Sequence, residues 1–463
     1  MSSTPRYSFS QLYLWSASRA QLFAVITKGI DIASAFFILA VLSVHDYGLY
    51  QLILAAVSIT GSLTAGLFDD VISNELARAL AERRIGWAKR LFGEFFTTRL
   101  TMSIAMAVLL FLGAGLVAQY YDKDIASYIR IMSVMVVFNA LNVVQVFFFR
   151  AKVSFAAFGA SVLQVALRLV FLVAFWTAAT LSLREILIST VLATAATALY
   201  TGFFFVREYR ALFRGVAASS GWVISGLVRR FGRWIFLRYG VSRVFKGVDM
   251  WLIRIFINTE AVAIYAFTIN LITFAHSLIP TGMLGTLLPW EAGEWQRFGY
   301  IYRRMVKYGF WFGLALAGGA AVFVPFAVEI FFPKYLPAMR IFYPMLATIP
   351  LYAVYKFQKT FLVVLREQKM LTMRLVTEGL ITLAVLVLLL PVIGLYAAAL
   401  MYLISYGGRV ALYTVFLGRK YPELRLKPRH IVSFDAEDWM LVGRAIRELV
   451  HPERWLKPIK SRV

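Results

Sequence analysis

The stretch FILAVLSVHDYGLY, residues 37–50, decides the fold of this chain, because it occurs twice in related form. The second copy is LIRIFINTEAVAIY, residues 252–265, at an offset of 215 positions. In each copy an apolar helix ends, an acidic residue follows (Asp46 and Glu260), and the next helix opens with a small residue two positions before a tyrosine. Repetition at a fixed offset predicts an architecture built from two related halves.

Apolar stretches that could cross a bilayer occupy most of the chain around these two copies. A transmembrane helix needs about 20 mostly apolar residues, and the sequence predicts twelve such spans. They are residues 21–43, 48–70, 93–118, 127–149, 155–178, 184–206, 234–257, 262–290, 307–332, 341–364, 373–391 and 394–418. This pattern predicts an all-α polytopic membrane protein with about 12 transmembrane helices in two six-helix lobes. Because six is even, both lobes enter from the same side, so the predicted pseudo-twofold axis runs along the membrane normal.

The composition agrees with a membrane protein and excludes other classes. Of the 463 residues, 60% are hydrophobic and only 16% are charged, whereas soluble domains have roughly 45–50% apolar and about 25% charged residues. The absence of cysteine excludes disulfides and iron–sulfur ligation, and four scattered histidines offer no metal cluster. No phosphate-binding glycine loop of the Walker type occurs. The sequence therefore predicts no metal, no cofactor and no catalytic residues.

Lysine and arginine in the connections between spans set the orientation. With the N-terminus in the cytoplasm, the inside segments carry 33 cations and the outside connections carry 5. Both termini are therefore predicted to be cytoplasmic. This distribution also accounts for most of the net charge of +24 without a nucleic-acid partner, since basic loops contact anionic membrane lipids.

These spans predict five segments along the chain. They are an amphipathic cytoplasmic N-terminus (1–20), an N-lobe (21–206), a basic cytoplasmic linker (207–233), a C-lobe (234–418) and a basic cytoplasmic tail (419–463). Within the tail, residues 435–450 have the pattern of an amphipathic helix, which is expected at the membrane surface.

Ten cations fall inside the predicted spans, where each costs roughly 2.5–3.5 kcal/mol on insertion scales. Charged residues in such positions usually face a cavity or a partner. The candidates for a central cationic cavity that binds cargo are Lys28, Arg168, Arg243, Lys246, Lys356, Lys359 and Arg409. The candidates for energy coupling or charge pairing are the carboxylates Asp31 and Asp249.

Structural roles compete with binding at several of these positions. Arg99 lies near a predicted cytoplasmic end, where a long side chain is expected to snorkel to the surface. Lys28 and Asp31 are three residues apart and could form a salt bridge. Lys356 and Lys359 share a helical face with no acid nearby, so an anionic guest between them is the better explanation.

Span seven carries a polar stripe, because Arg243, Lys246 and Asp249 are spaced three apart. The offset of 215 places Lys28 on Arg243, so each lobe would present a cation from its first helix. Arginine binds phosphate oxygens through its planar fork, and lysine supplies a point charge. The natural guest of such a cavity is a phosphate or pyrophosphate group, with acidic sugars as another choice.

Three features together resemble the polysaccharide-transporter branch of the multidrug/oligosaccharidyl-lipid/polysaccharide exporter superfamily. They are the two lobes of six spans, the Asp46–Tyr50 helix opening, and the outer connection at residues 331–335. The resemblance covers about residues 20–418. It implies a bacterial inner-membrane flippase for undecaprenyl-pyrophosphate-linked oligosaccharides, such as O-antigen or exopolysaccharide units, that works by rocking two lobes around a cationic cavity. It also implies polysaccharide polymerase or export machinery as partners, and the two-lobe plan allows action as a monomer.

Three other functions stay open at this point. The cargo could be a peptidoglycan precursor or a small organic anion, because sugar selectivity depends on side-chain geometry. The protein could be a membrane glycosyltransferase or polymerase, although its outer connections are short and carry few carboxylates. It could also be a non-transporting scaffold of polysaccharide assembly, although a scaffold gains nothing from buried charges.

Overall fold

A computed structural model describes residues 26–64, 72, 75–76, 78–80, 82–120, 125–151, 156–221, 226, 247–279, 295–365, 367–436, 438 and 440. No strand occurs among these residues. The helices of the first half are α1 (26–41), α2 (Val44–Leu63), α3 (Ile85–Tyr120), α4 (Ile125–Ala151), α5 (Ala156–Thr177) and α6 (Leu183–Phe213). Those of the second half are α7 (Val248–Phe256), α8 (Thr259–Ser277), α9 (Trp295–Phe331), α10 (Met339–Leu346), α11 (Thr348–Val364), α12 (Gln368–Ile393), α13 (Tyr396–Lys420) and α14 (Pro428–Val432). Two 3₁₀ helices, Pro333–Ala338 and Pro422–Leu424, lie between them.

The prediction of an all-α polytopic membrane protein is confirmed. Each of the twelve predicted spans overlaps one or two of these helices, and seven of the described helices are long and apolar enough to cross a membrane. Two bounds differ from the prediction. Helix α6 continues to Phe213, into the predicted linker, and α9 begins at Trp295 rather than at residue 307. Span ten is divided at Ala347, because Pro350 has no N–H to donate to the preceding turn.

The 215-residue offset of the sequence repeat recurs in the helix bounds. Helices α2 and α8 begin at Val44 and Thr259, and α1 and α7 end at residues 41 and 256. Helices α3 and α9 are also alike, with 36 and 37 residues. Equivalent lengths and spacings show that the two halves of the chain follow one helical plan.

The chain forms two compact units, of which unit 1 comprises Met1–Phe274, Ala320–Leu346 and Lys369–Ser405. One part of its core is aromatic and lies between α3, α4 and α6, where the Phe92 and Phe148 rings are 5.3 Å apart and Phe213 closes the cluster. A second part joins Leu52 of α2 to residues of α7, α8, α12 and α13, including the fully buried Tyr265. This second cluster packs a helix of the first half against helices of the second half within unit 1.

Unit 2 comprises Ala275–Gly319, Ala347–Gln368 and Tyr406–Val463. Its core joins α9, α11 and α13: Phe361 packs on Tyr302, and Gln358 donates to the Thr414 hydroxyl at 2.8 Å. At about 1.5 Å per residue, the 37 residues of α9 span ~55 Å. Because the bilayer core is only about 30 Å thick, several turns of α9 extend beyond it.

The tail packs against the first turns of α9. Lys307 forms a buried ion pair with Asp438, and Arg304 binds Asp435 at 3.0 Å. Burial alone would raise the pKa of the Asp438 carboxyl, but hydrogen bonds from Lys307 and Tyr308 outweigh it and hold that pKa well below its usual range. The start of the predicted surface helix therefore binds to protein. Residues 441–450 of that helix lie outside the described residues.

Candidate functional site

The first group of predicted site residues lies in unit 1, on α1 and α5. The Arg168 guanidinium lies 3.8 Å from the Asp31 carboxylate. Tyr50 of α2 interacts electrostatically with both groups. The alternative that pairs Lys28 with Asp31 is wrong, because Asp31 pairs with a helix that lies far away in sequence. Lys28 is exposed one turn before Asp31 and forms no ion pair within the described part of the chain.

The second carboxylate, Asp249, begins helix α7 in unit 1. It accepts a hydrogen bond from the Tyr265 hydroxyl and others from backbone N–H groups at the helix start, and Tyr402 is hydrogen-bonded to Tyr265. Gly247 precedes it with φ of +99°, and a Cβ there would lie 3.1 Å from Ala55. The carboxylate is thus bound by hydroxyl and amide groups. Arg243 and Lys246, its predicted neighbours, lie outside the described residues.

Unit 2 contains the predicted lysine pair of helix α11. Lys356 and Lys359 are both half-buried, in a helix that is otherwise largely apolar. Lys356 donates to the Tyr352 hydroxyl at 3.4 Å and lies 5.7 Å from the centre of that ring. Among the residues that the structure describes, no carboxylate pairs with either lysine. Two positive charges three residues apart repel each other, so an anion between them would relieve an unfavourable arrangement.

Aromatic rings surround the lysine pair on one side. Arg409 of α13 lies over the Tyr406 ring at 4.3 Å and over the Tyr355 ring at 4.8 Å. His276, in the last turn of α8, stacks on Tyr352 with 3.9 Å between ring centres. Stacking on aromatic faces orients a cation by cation–π attraction without neutralising its charge. This arrangement leaves positive charge available to a ligand.

His276 is a polar residue of this cluster that the sequence analysis missed. Its side chain is buried and its Nε2 has no hydrogen-bond partner in the described structure. A buried polar group left in this state costs about 1–3 kcal/mol, so it needs a structural or functional explanation. The available signal was a histidine in the middle of the predicted span 262–290, a costly position for a polar side chain, but it was considered only as a metal ligand.

Arg99 does not snorkel, contrary to the expectation from its sequence position. It is 4% exposed and lies over the Phe95 ring at 5.7 Å. The side chain lines a cavity of about 310 Å³ between α2, α3 and α4. The side chain is buried between these helices, including its Nε, so it does not reach the surface.

The geometry defines a class of protein before any comparison. The described chain has seven apolar helices long enough to cross a membrane, and the shorter helix α11 carries two half-buried lysines with no carboxylate partner among the described residues. These features define a polytopic membrane protein, in which such cations usually face a cavity or a partner. No group of three or more His, Asp or Glu side chains that could bind a metal occurs in the described ranges.

The chain belongs to the polysaccharide biosynthesis protein family, whose model matches residues 21–292. The resemblance inferred from the sequence is thereby confirmed, and the family indicates a membrane flippase or exporter. No protein of curated function matches the chain by sequence.

Solved structures share the fold at low sequence identity. An inward-facing MATE multidrug resistance transporter of the MOP superfamily has a TM-score of 0.72 at 13% identity, covering 86% of this chain and 95% of its own. The lipid II flippase MurJ in an inward closed conformation has a TM-score of 0.61 at 12% identity, covering 93% and 99%. A MOP superfamily transporter from Pyrococcus furiosus with a binding pocket of reverse polarity has a TM-score of 0.62 at 14% identity, covering 89% and 96%.

Proposed function

We propose that this protein is a flippase that moves an oligosaccharide linked to undecaprenyl pyrophosphate from the cytoplasmic to the outer leaflet of a bacterial inner membrane. The cargo would be an O-antigen or exopolysaccharide unit. Transport proceeds by alternating access through the predicted cationic cavity, and no catalytic step is involved. The protein acts as a monomer with both termini in the cytoplasm, and the segments of the chain are those predicted from the sequence.

The observation that carries this proposal is the lysine pair of α11. Lys356 and Lys359 are half-buried in the largely apolar helix α11, with no carboxylate partner among the described residues. Such an arrangement is costly without a ligand, and a pyrophosphate supplies several acceptor oxygens for lysine and arginine together. Arg409, held over two tyrosine rings, adds a planar donor fork.

Two further groups extend this binding role. Lys28 and Arg168 contribute positive charge from the first half of the chain, with Asp31 offsetting one of the two. The Nε2 of His276 would hydrogen-bond a phosphate oxygen or sugar hydroxyl of the cargo, which explains why it has no partner in the described structure. Arg243 and Lys246 belong to the same proposal on the strength of their sequence positions alone, and Asp31 and Asp249 are its candidates for proton coupling.

The test is transport by purified protein reconstituted in liposomes. The assay follows the appearance of undecaprenyl-pyrophosphate-linked oligosaccharide in the receiving leaflet. Two charge-assisted hydrogen bonds are worth about 3 kcal/mol together at the lower end of their range, so Lys356→Ala/Lys359→Ala should slow flipping about 100-fold. Lys420→Ala is the matched control, because Lys420 is an exposed lysine that pairs with Glu367.

Unchanged flipping in the double variant, with intact folding, would contradict a cargo role for the lysine pair. The same assay should also be run with lipid II as cargo, because the structurally similar MurJ is a lipid II flippase. Faster transport of lipid II or of a small organic anion than of the oligosaccharide lipid would replace the cargo assignment. No transport of any of these by the wild type would favour the scaffold function.

A further inference from the structure

The two repeats contact each other through equivalent residues. His45 and Glu260 occupy the same position in the two copies, 215 residues apart, and the His45 Nδ1 lies 2.8 Å from the Glu260 Oε1. Two residues related by a twofold operation can contact each other only close to the rotation axis. The pair therefore marks the point in unit 1 where α2 and α8, the second helices of the two repeats, meet.

Several further contacts join the two halves of the chain near this pair, within unit 1. Gly48 lies so close to the Thr259 carbonyl that no Cβ fits between them, and the Asn270 amide donates to the Tyr47 hydroxyl at 3.0 Å. Lys334 of the 3₁₀ segment donates to backbone carbonyls at the end of α1, including Ala40 at 3.2 Å. Each contact joins α1 or α2 to an element of the second half. The whole set lies at the end that the charge asymmetry places outside the cell.

We propose that the His45–Glu260 pair is a latch that holds the outer ends of the two repeats together and breaks each time this end opens. Both side chains are almost half exposed, at 43% and 46%, so the pair exchanges readily with water. A single side-chain hydrogen bond contributes about 0.5–1.5 kcal/mol, which corresponds to a bias of about two- to tenfold. A bias of that size favours the closed end without trapping it.

The charges around the latch also support an electrostatic role. Arg254 of α7 acts on the Glu260 carboxylate, and the Lys334 ammonium binds backbone oxygens at the same end. Asp46 is engaged locally by Ser43, the residue that caps α2. His45 and Glu260 are thus the side chains that pair across the two repeats at this position.

The position near the axis allows a specific experiment, because exchanging two equivalent residues should restore their contact. The chain contains no cysteine, so an Ala263→Cys substitution introduces the sole thiol. Ala263 is fully buried one turn after Thr259, on the α8 face that contacts α2. In that background, the labelling rate by a membrane-impermeant maleimide in right-side-out vesicles reports opening of the outer end.

We expect His45→Glu to raise the labelling rate about fivefold or more, because two carboxylates then face each other. The exchanged variant His45→Glu/Glu260→His should return to within about twofold of the starting rate. Arg184→Glu, an exposed charge reversal on a different outer connection, should leave the rate unchanged. Should His45→Glu fail to fold, Glu260→His alone tests the same pair.

An unchanged rate in His45→Glu, or an exchanged variant that labels as fast as His45→Glu, would overturn the latch. The measurement needs no cargo, so its outcome is independent of the proposed oligosaccharide. If the labelling results are as expected but no oligosaccharide lipid is transported, the latch is supported and only the cargo assignment is wrong.

Discussion

Two sets of basic residues within unit 2 differ in whether a carboxylate pairs with them. Lys307 of α9 is fully buried and paired with the equally buried Asp438 of the tail. Lys356 and Lys359 of α11 are half-buried, with no carboxylate partner among the described residues. Removing a charge from water is costly unless it is paired, so the matched lysine has a structural role. The unmatched lysines are placed where a mobile anion could supply the missing charge.

The Arg168–Asp31 pair of unit 1 is an intermediate case. Its two groups lie 3.8 Å apart and both retain contact with solvent. The buried Lys307 therefore has the closest carboxylate partner of the three cases. The half-buried Lys356 and Lys359 have none among the described residues. We propose that the degree of pairing separates cations that stabilise the fold from cations that bind cargo.

The largest expected effect is on the stability of the tail. Asp438→Ala leaves the buried Lys307 ammonium with the Ser433 carbonyl but without its carboxylate partner, which should cost about 3–5 kcal/mol in unfolding free energy. Thermal unfolding of the detergent-purified protein measures this loss. Asp435→Ala is the control, because its partner Arg304 keeps a second carboxylate nearby, and its cost should stay below about 1 kcal/mol. Equal losses of unfolding free energy in both variants would contradict a special structural role for the buried Lys307–Asp438 pair.

The pH dependence of the same pair follows from the lowered pKa of Asp438. A carboxyl whose pKa is lowered in the folded state stabilises it fully above the free value of about 3.9, and loses that contribution as the pH falls further. Stability should therefore show no contribution from Asp438 titration between pH 8 and pH 5, and should weaken below about pH 4. Asp438→Asn should lose this acid-dependent part in unfolding scans against pH. An identical acid profile in that variant would contradict the assignment.

The side chains around the unmatched lysines should behave differently, with binding affected more than stability. His276→Phe retains an aromatic ring against Tyr352 but removes the buried Nε2. We expect affinity for undecaprenyl pyrophosphate to fall about fivefold, the equivalent of one hydrogen bond of about 1 kcal/mol. Titration in nanodiscs, monitored by intrinsic fluorescence, measures it. Unchanged affinity would mean that Nε2 has no cargo contact.

The smallest expected effect concerns the intermediate pair of unit 1. In a double-mutant cycle, Arg168→Met and Asp31→Asn should couple by about 1 kcal/mol or less in unfolding free energy, because the two groups lie 3.8 Å apart and both are partly exposed. Coupling of several kcal/mol would place this pair with Lys307 and Asp438 among the structural charges. Arg168→Met should in addition weaken binding of undecaprenyl pyrophosphate, whereas Asp31→Asn should not.

Much of the fold could be predicted because spanning length and apolar composition are local properties of the chain. Each of the twelve predicted spans overlaps a described helix, and the offset of 215 recurs in the bounds of α2 and α8. The start of α9 could not be predicted, because its first turns are polar and are stabilised by the tail that binds to them. Arg99 was misjudged because its burial depends on how α2 and α4 pack against α3, which its position in the sequence does not encode.

The residues of the candidate site could be predicted from the sequence, but their contacts could not. The sequence alone determined which predicted spans contain cations and that the chain repeats, because both depend only on residue order. Only the tertiary structure decided that Asp31 pairs with Arg168, that Asp438 neutralises Lys307, and that His276 joins the tyrosines beside Lys356. Those partners lie on different helices, and their distances depend on how the helices pack, which spacing along the chain does not encode.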